Sequence, residues 1–321
     1  MRGAFFSALT RLAEHDERVH LIVGDLGFGV VEGFAQRFPN RFLNVGVAEQ
    51  NMTSVAVGMA LSGKIVFTYS IANFPILRCL EQVRNDVCYH NANVKVVAVG
   101  GGFAYGSLGS THHATEDLAI MRSLPGMVVV APGDPAETEA ATQAIAAHSG
   151  PCYLRLGRAG EPRVHRREEI DFHLGKSIQF REGTDLTLIS TGGLLETAVQ
   201  VSELLHSAGL EARVLSMHTV QPLDVDAIEK AARDTGAIFT IEEHSVTGGL
   251  GGAVAEILAE SSESPVTFKR FGLPPDFASV VGTQEHLRAK YGLSATSLMA
   301  DIRTVLQKTR ALSAAGLTNR E

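Results

Sequence analysis

Short β-branched runs that alternate with helical segments constrain the fold of this chain more than any other feature. "VHLIVGD", "FLNV", "KIVFTY", "VKVVAVG", "MVVVAP" and "CYLRL" are apolar almost throughout rather than at every second residue. A strand of that kind is buried on both faces, as in a parallel sheet covered by helices. The segments between them predict helices over 3–15, 48–62, 75–91 and 135–148. From about 157 to 183 the pattern lapses into charge and turn residues, with room for one short strand. It resumes as "DLTLIST", a helix over 194–208, "EARVLSM", a helix over 224–235, "AIFTIEE", a helix over 249–261 and "PVTFKRF". "SATSLMADIRTVLQK" opens on Ser/Thr with apolar helical spacing and predicts a closing helix. The fold class expected is α/β, with two domains that are each a mostly parallel sheet flanked by helices. Their expected limits are 1–160 and 184–310, joined by a linker over 161–183 and followed by a tail over 311–321.

Charge excludes one class of partner. Lys plus Arg is 28 against 35 Asp plus Glu, a net charge of -7, and no basic run is long enough to grip nucleic acid. "RVHRREE", the richest basic patch, carries its own acids and reads as a solvated linker. The three cysteines form no CxxC pair and no even disulfide framework, which favours a reducing compartment. Phe5, Phe6, Leu9 and Leu12 recur at helical spacing, without the unbroken apolar core of a signal peptide. No apolar run approaches the roughly 20 residues that span a bilayer. The expectation is a cytoplasmic protein with no membrane and no nucleic-acid partner.

Several positions could carry chemistry. Glu49, in "NVGVAEQNM", sits at a helix start among Val45, Val47, Met52 and Val55. A carboxylate in such surroundings is costly unless it is paired or used. "GSTHHATED" places His112 and His113 behind a glycine-rich loop, where a histidine could relay protons near neutral pH or make only a loop hydrogen bond. Tyr69 and Phe74 flank a turn before a helix that holds Arg78 and Arg84. His244 stands at a strand end, a common site of function in α/β sheets. "GGLGG" at 248–252 could hold an anion on backbone amides or pack a helix tightly on the sheet. No GxGxxG opens a strand-to-helix turn, and neither a P-loop nor an HExxH is present, so no metal site is expected on this chain.

Taken in order, "VGVAEQNM", "FTYSIANF…EQVRND", "GSTHHATEDLAIMR", "VVVAPGDPAE" and "TIEEHSVTGGLGGAVAE" resemble the C-terminal half of transketolases. The resemblance covers about residues 1–308. It implies a pyrimidine-binding domain followed by the transketolase C-terminal domain, with thiamine diphosphate as cofactor. In the family the glutamate matching Glu49 hydrogen-bonds a ring nitrogen of the cofactor's aminopyrimidine and favours its imino tautomer. Burial disfavours the charged carboxylate, leaving an acid able to donate that bond. Phe74 matches the aromatic residue on which the pyrimidine packs. Ile71 stands where relatives often place a second aromatic, and Asp25 lies in a pyrimidine-domain loop at the site. His112 matches the histidine that faces the reacting centre, with His113 its neighbour. Arg2 and Arg158 match two arginines that contact phosphorylated sugars.

The departures are as informative. The GDG motif and later Asn that hold Mg2+ in the family are absent, so the chain resembles one subunit of a split transketolase. Its partner would be an N-terminal subunit carrying the diphosphate-binding domain and Mg2+, giving a heterotetramer, with self-dimerisation also expected. Of the family's polar acceptor contacts, the serine position is Gly29, the aspartate position is Leu108, and the histidine position falls within Gly100–Gly102. Those losses imply an unusual sugar acceptor. A β-type subunit of a 2-oxoacid dehydrogenase, a deoxyxylulose-phosphate synthase fragment and a noncatalytic module are the alternatives.

Overall fold

A computed structural model describes residues 1–166, 170–261 and 265–314. Among the described residues twelve strands form two sheets. In chain order they are β1 (Val19–Val23), β2 (Phe42–Asn44), β3 (Ile65–Ile71), β4 (Val94–Val99), β5 (Val128–Val130), β6 (Cys152–Leu156), β7 (Ile178–Arg181), β8 (Leu186–Ser190), β9 (Ala212–Ser216), β10 (Thr219–Gln221), β11 (Ala237–Ser245) and β12 (Thr267–Leu273). The helices are α1 (Arg2–His15), α2 (Glu32–Arg37), α3 (Glu49–Leu61), α4 (Asp117–Arg122), α5 (Pro135–Ala147), α6 (Leu195–Ser207), α7 (Val225–Thr235), α8 (Leu250–Ser261), α9 (Gln284–Lys290) and α10 (Ala295–Ala314). Among the described residues no helix is long and apolar enough to cross a membrane.

The first sheet runs β10-β5-β6-β4-β3-β1-β2 and the second β12-β11-β8-β9-β7. Both are parallel except at one edge, where β10 pairs antiparallel with β5 and β7 antiparallel with β9. Strands β1, β4, β5 and β6 are buried at every residue, as their unbroken apolar runs require. Each sheet has a hydrophobic cluster on either face. Val66, Val96 and Met121 lie on one side of the first, Phe5, Phe67 and Val97 on the other. Local chemistry fixes the helix ends: the Asp134 carboxylate accepts from the Glu137 amide at 2.8 Å ahead of Pro135, and Gly236 closes α7 with φ +61°.

Three features depart from the sequence expectation. The stretch expected as one helix over 75–91 is wide-wound, with π-helical turns at Phe74–Arg78 and Gln82–Cys88. Strand β10 lies in the second half of the sequence yet closes the edge of the first sheet, holding the halves together through its backbone. "RVHRREE" is not solvated throughout: His165 is buried, and the amides of Val164 and His165 both donate to Asp134 Oδ2 at 2.8 Å. Residues 167–169 of the expected linker, and 315–321 of the expected tail, lie outside the described residues, while 311–314 continue α10.

Candidate functional site

Strands β6, β4, β3, β1 and β2 are consecutive parallel neighbours, so the segments leaving their carboxyl ends lie side by side. Arg158 follows β6, and the loop from Gly100 to His113 follows β4. Phe74 and Arg78 follow β3, Asp25 follows β1, and Glu49 follows β2 at the first turn of α3. One edge of one sheet therefore collects the candidate residues, apart from Arg2, which opens α1.

Glu49 is 3% exposed and its carboxylate faces a single cation. Arg78 Nη1 donates to Glu49 Oε2 at 3.0 Å, while the guanidinium carbon sits 4.0 Å from the centre of the Phe74 ring. The backbone is clipped in the same place, because Gln50 Nε2 donates to the Arg78 carbonyl at 2.9 Å. Wide π-helical turns leave carbonyls without their usual partner, and Gln50 supplies one. A planar, nitrogen-rich group thus lies on Phe74 and bonds Glu49. Those are the two contacts an aminopyrimidine would make, so the residues present fit such a ring. The carboxylate of Glu49 has no other hydrogen-bond partner among the described residues.

His112 borders the same group of residues. Its ring lies edge-on to Phe74 with centroids 5.4 Å apart, and Nδ1 is 3.0 Å from Thr111 Oγ1. His113 turns inward, buried, with Nε2 3.3 Å from the Gly106 carbonyl and its ring edge-on to Phe103. Asn73 ties the two loops together through its side-chain amide, which donates to the carbonyl of His113. Ile71 packs on the cluster beneath the sheet. Asp25, at φ +57°, is exposed and held by Asn44, whose Nδ2 donates to Asp25 Oδ1 at 2.9 Å. Arg2 lies within electrostatic range of Tyr69 and Tyr105, and the Arg158 guanidinium stands 5.2 Å from the Tyr105 ring centre. Two groups therefore form along the edge: Glu49, Phe74, Arg78 and His112 at one end, Arg2, Arg158 and Tyr105 at the other.

The glycine-rich loop has a packing reason. A Cβ on Gly101 would fall 2.5 Å from Arg155 Nε, and one on Gly102 2.7 Å from the Glu243 carboxyl carbon. Arg155 is buried, donating from Nε to Asp117 Oδ2 at 2.7 Å and from Nη2 to the Glu243 carbonyl at 3.0 Å. Glu243 in turn accepts from the Phe103 amide at 2.7 Å and from Arg288 Nε at 2.7 Å. This network joins β6, the glycine loop, β11 and α9. "GGLGG" is likewise filled from within: Glu242 accepts from the amides of Leu250 and Gly251 at 2.7 and 2.8 Å, and burial pushes its carboxyl up. His244 is structural, with Nδ1 2.7 Å from the Ser245 carbonyl and Nε2 accepting from the Ala119 amide at 3.3 Å.

In the sequence Arg78 reads only as a helix residue, and Tyr105, Arg155 and Glu243 carry no mark of a role. For Arg78 a usable signal exists: a buried acid at one helix start calls for a cation on the element packed beside it.

A two-domain α/β chain that gathers Glu49, Phe74, Arg78 and His112 at the carboxyl edge of its first sheet is the class that fold and site define. Residues 1–161 match the family described as transketolase, pyrimidine binding domain, and 175–298 match transketolase, C-terminal domain. One of the subunits of the apulose-4-phosphate transketolase from Phocaeicola vulgatus is 41% identical over 293 residues, covering 91% of this chain and 93% of that protein. The 6-deoxy-6-sulfo-D-fructose transketolase subunit SqwH of Clostridium sp. (strain MSTE9) is 40% identical over 309 residues, covering 96% and 95%. A solved structure described as a split gene transketolase, inactive beta4 tetramer, superposes with a TM-score of 0.88 at 39% identity, covering 95% of this chain and 98% of its own. The chain belongs to the transketolase family, as its five motifs implied.

Proposed function

We propose that this chain is the pyrimidine-side subunit of a split transketolase, moving a two-carbon ketol unit from a ketose donor to an aldose acceptor. The carrying observation is the Arg78 guanidinium, seated on Phe74 and bonded to Glu49 where an aminopyrimidine would sit. Thiamine diphosphate supplies the carbon nucleophile of such a transfer. The contributions of this chain are positional. Glu49, enclosed at the start of α3, would hold a ring nitrogen of the cofactor through its carboxyl group, with Arg78 displaced. Phe74 fixes the plane of the ring. His112, edge-on to Phe74, would take or return a hydroxyl proton of the sugar.

The diphosphate and Mg2+ are assigned to a partner subunit, because the motif that holds them is missing from this sequence. Exposed apolar residues on the site's loops, Phe28 at 74%, Val47 at 74% and Leu77 at 53%, support a covering partner or a second copy of the chain. Residues 1–160 and 184–310 serve as the two domains, with Thr219–Gln221 lent to the first sheet.

An unusual sugar is the proposed acceptor. Leu108, exposed, stands where the family carries an aspartate, and nothing lies within 4 Å of a Cβ placed on Gly29. The names of the two relatives describe anionic sugars, one a phosphate and one a sulfonate. Calorimetry of thiamine diphosphate with Mg2+, on this chain alone and mixed with its partner, tests the reading. Binding only in the mixture, lost in Glu49→Ala, is expected; binding to neither overturns it. A preference for erythrose 4-phosphate or ribose 5-phosphate over other acceptors would overturn the assignment of an unusual sugar.

A further inference from the structure

His112 stands in a short loop with few hydrogen bonds of its own. Gly109, at φ +81°, turns the chain, and its carbonyl accepts from the amides of His112 and His113 at 2.9 and 3.2 Å. Beyond them Ala114 and Gly102 exchange amide-to-carbonyl bonds at 3.1 and 2.8 Å. No amide of the loop reaches the carbonyls of Thr111 and His113, which flank His112. One side chain takes up both. Asn73 Nδ2 donates to the His113 carbonyl and, at 3.4 Å, to the Thr111 carbonyl. Neither carbonyl has another partner among the described residues. A carbonyl oxygen only accepts, so the nitrogen of the carboxamide must face them, and its two N–H groups match two acceptors. Asn73 immediately precedes Phe74, where β3 gives way to the wide turn. The loop is also pinned from within, the His113 ring being buried against Phe103 with Nε2 3.3 Å from the Gly106 carbonyl.

We propose that Asn73 is a positioning residue for ketol transfer: its carboxamide, bridging the carbonyls on either side of His112, holds that imidazole against Phe74. This deepens the transketolase reading and rests on it for the role of His112. Phe74 and His112 belong to segments that leave neighbouring strands, β3 and β4, and their rings meet edge-on. Because Asn73 and Phe74 are consecutive, a shift of one carries the other, so the ring platform and the imidazole keep a common frame. Groups that react together gain from such coupling, since a displacement of about 1 Å costs on the order of a hundredfold in rate. The amide nitrogen of Asn73 is occupied by the two carbonyls, so the residue acts through His112 rather than on the sugar.

Asn73→Ala removes the bridge, and Asn73→Asp keeps its size while removing both N–H donors. In the chain assembled with its partner subunit, kcat for ketol transfer should fall about tenfold to a hundredfold in each. Thiamine diphosphate affinity by calorimetry should stay within about twofold. An unimpaired Asn73→Asp overturns the proposal, because volume and not the donors would then matter. In a His112→Ala background, adding Asn73→Ala should lower kcat by no more than about twofold further. A further loss of about tenfold there, or a loss of cofactor affinity that matches the loss of kcat, also overturns it, since Asn73 would then act through Phe74 or through the fold. Hydrogen exchange of the full chain, read by mass spectrometry over residues 109–114, needs no turnover. Exchange there should rise about tenfold in Asn73→Ala while that of β3 and β4 is unchanged, and no rise over 109–114 overturns the proposal. Were exchange to rise as expected but the wild-type assembly to transfer no ketol unit, the transketolase reading would fail and the clamp on the loop would stand.

Discussion

Arg78 and Glu49 are joined by a 3.0 Å ion pair that is half in water and half in protein, the guanidinium being 49% exposed and the carboxylate 3%. The pair uses the contact that the cofactor ring would need. Replacing Arg78 with Ala should therefore have effects of opposite sign. The isolated chain is expected to lose about 1–3 kcal/mol in urea unfolding, because Glu49 is left enclosed without a partner. Thiamine diphosphate should bind the assembled enzyme about threefold to tenfold tighter by calorimetry, since no side chain must be displaced. Weaker binding would mean that Arg78 contacts the bound ligand.

Glu49→Gln separates shape from proton transfer. The carboxamide fills the same space at the start of α3 and still meets Arg78, so the circular dichroism spectrum and folding should persist. It cannot hand a proton to a ring nitrogen. Turnover by the assembled enzyme is expected to fall by about 10²–10⁴, the range of a positioned acid or base. A loss below about tenfold would remove Glu49 from that role.

Much of this site was legible because it rests on local patterns. Unbroken apolar runs specify buried parallel strands, and Glu49 stands out as the one acid in an apolar helix start. The unread parts depend on distance in the chain. Arg155 donates to the Glu243 backbone carbonyl across 88 positions, and no periodicity announces such a contact. Strand β10 is three residues long, too short to show alternation, and its partner β5 lies in the other half of the sequence. The wide turns at Phe74–Arg78 differ from an α-helix by one residue in the span of each hydrogen bond, which hydrophobic spacing over so short a stretch does not resolve. Asn73 has no local signature at all; its position becomes informative only once its amide is seen between the carbonyls that flank His112.

The Arg155 network predicts a large stability effect. Arg155→Met leaves the Asp117 carboxylate buried, facing only the Tyr153 hydroxyl that donates to it at 2.7 Å. Breaking one side of a buried pair costs about 3–5 kcal/mol. Adding Asp117→Asn should recover part of that loss by removing the stranded charge. Urea unfolding of both variants checks this, and a loss below about 1 kcal/mol in Arg155→Met would show that the junction between the sheets does not depend on the pair.

His218 gives the chain a pH dependence of defined sign. It is fully buried, its ring stacked on Phe172 with centroids 3.8 Å apart and Nδ1 3.0 Å from Thr219 Oγ1. Burial pushes it down to about 3, the neighbouring His165 acting in the same direction and Asp224 against it. An unfolded histidine titrates near about 6.5. Between those values the unfolded chain binds the extra proton, so stability is full above about pH 6.5 and is lost as pH falls below it. His165 contributes with the opposite sign. Burial alone would lower it, but Asp134 and Glu137 flank the ring and together push it up, so its contribution is full below about 6.5 and lost as pH rises through the raised value. Carboxylates also titrate at low pH, and the informative quantity is the difference between wild type and His218→Phe, which keeps the stack on Phe172. Going from about pH 7.5 to about 5.0, wild type should lose about 2 kcal/mol more than the variant, from about 1.4 kcal/mol per unit below about 6.5. Equal losses in the two proteins would mean that His218 is already charged in the folded chain or reachable by water.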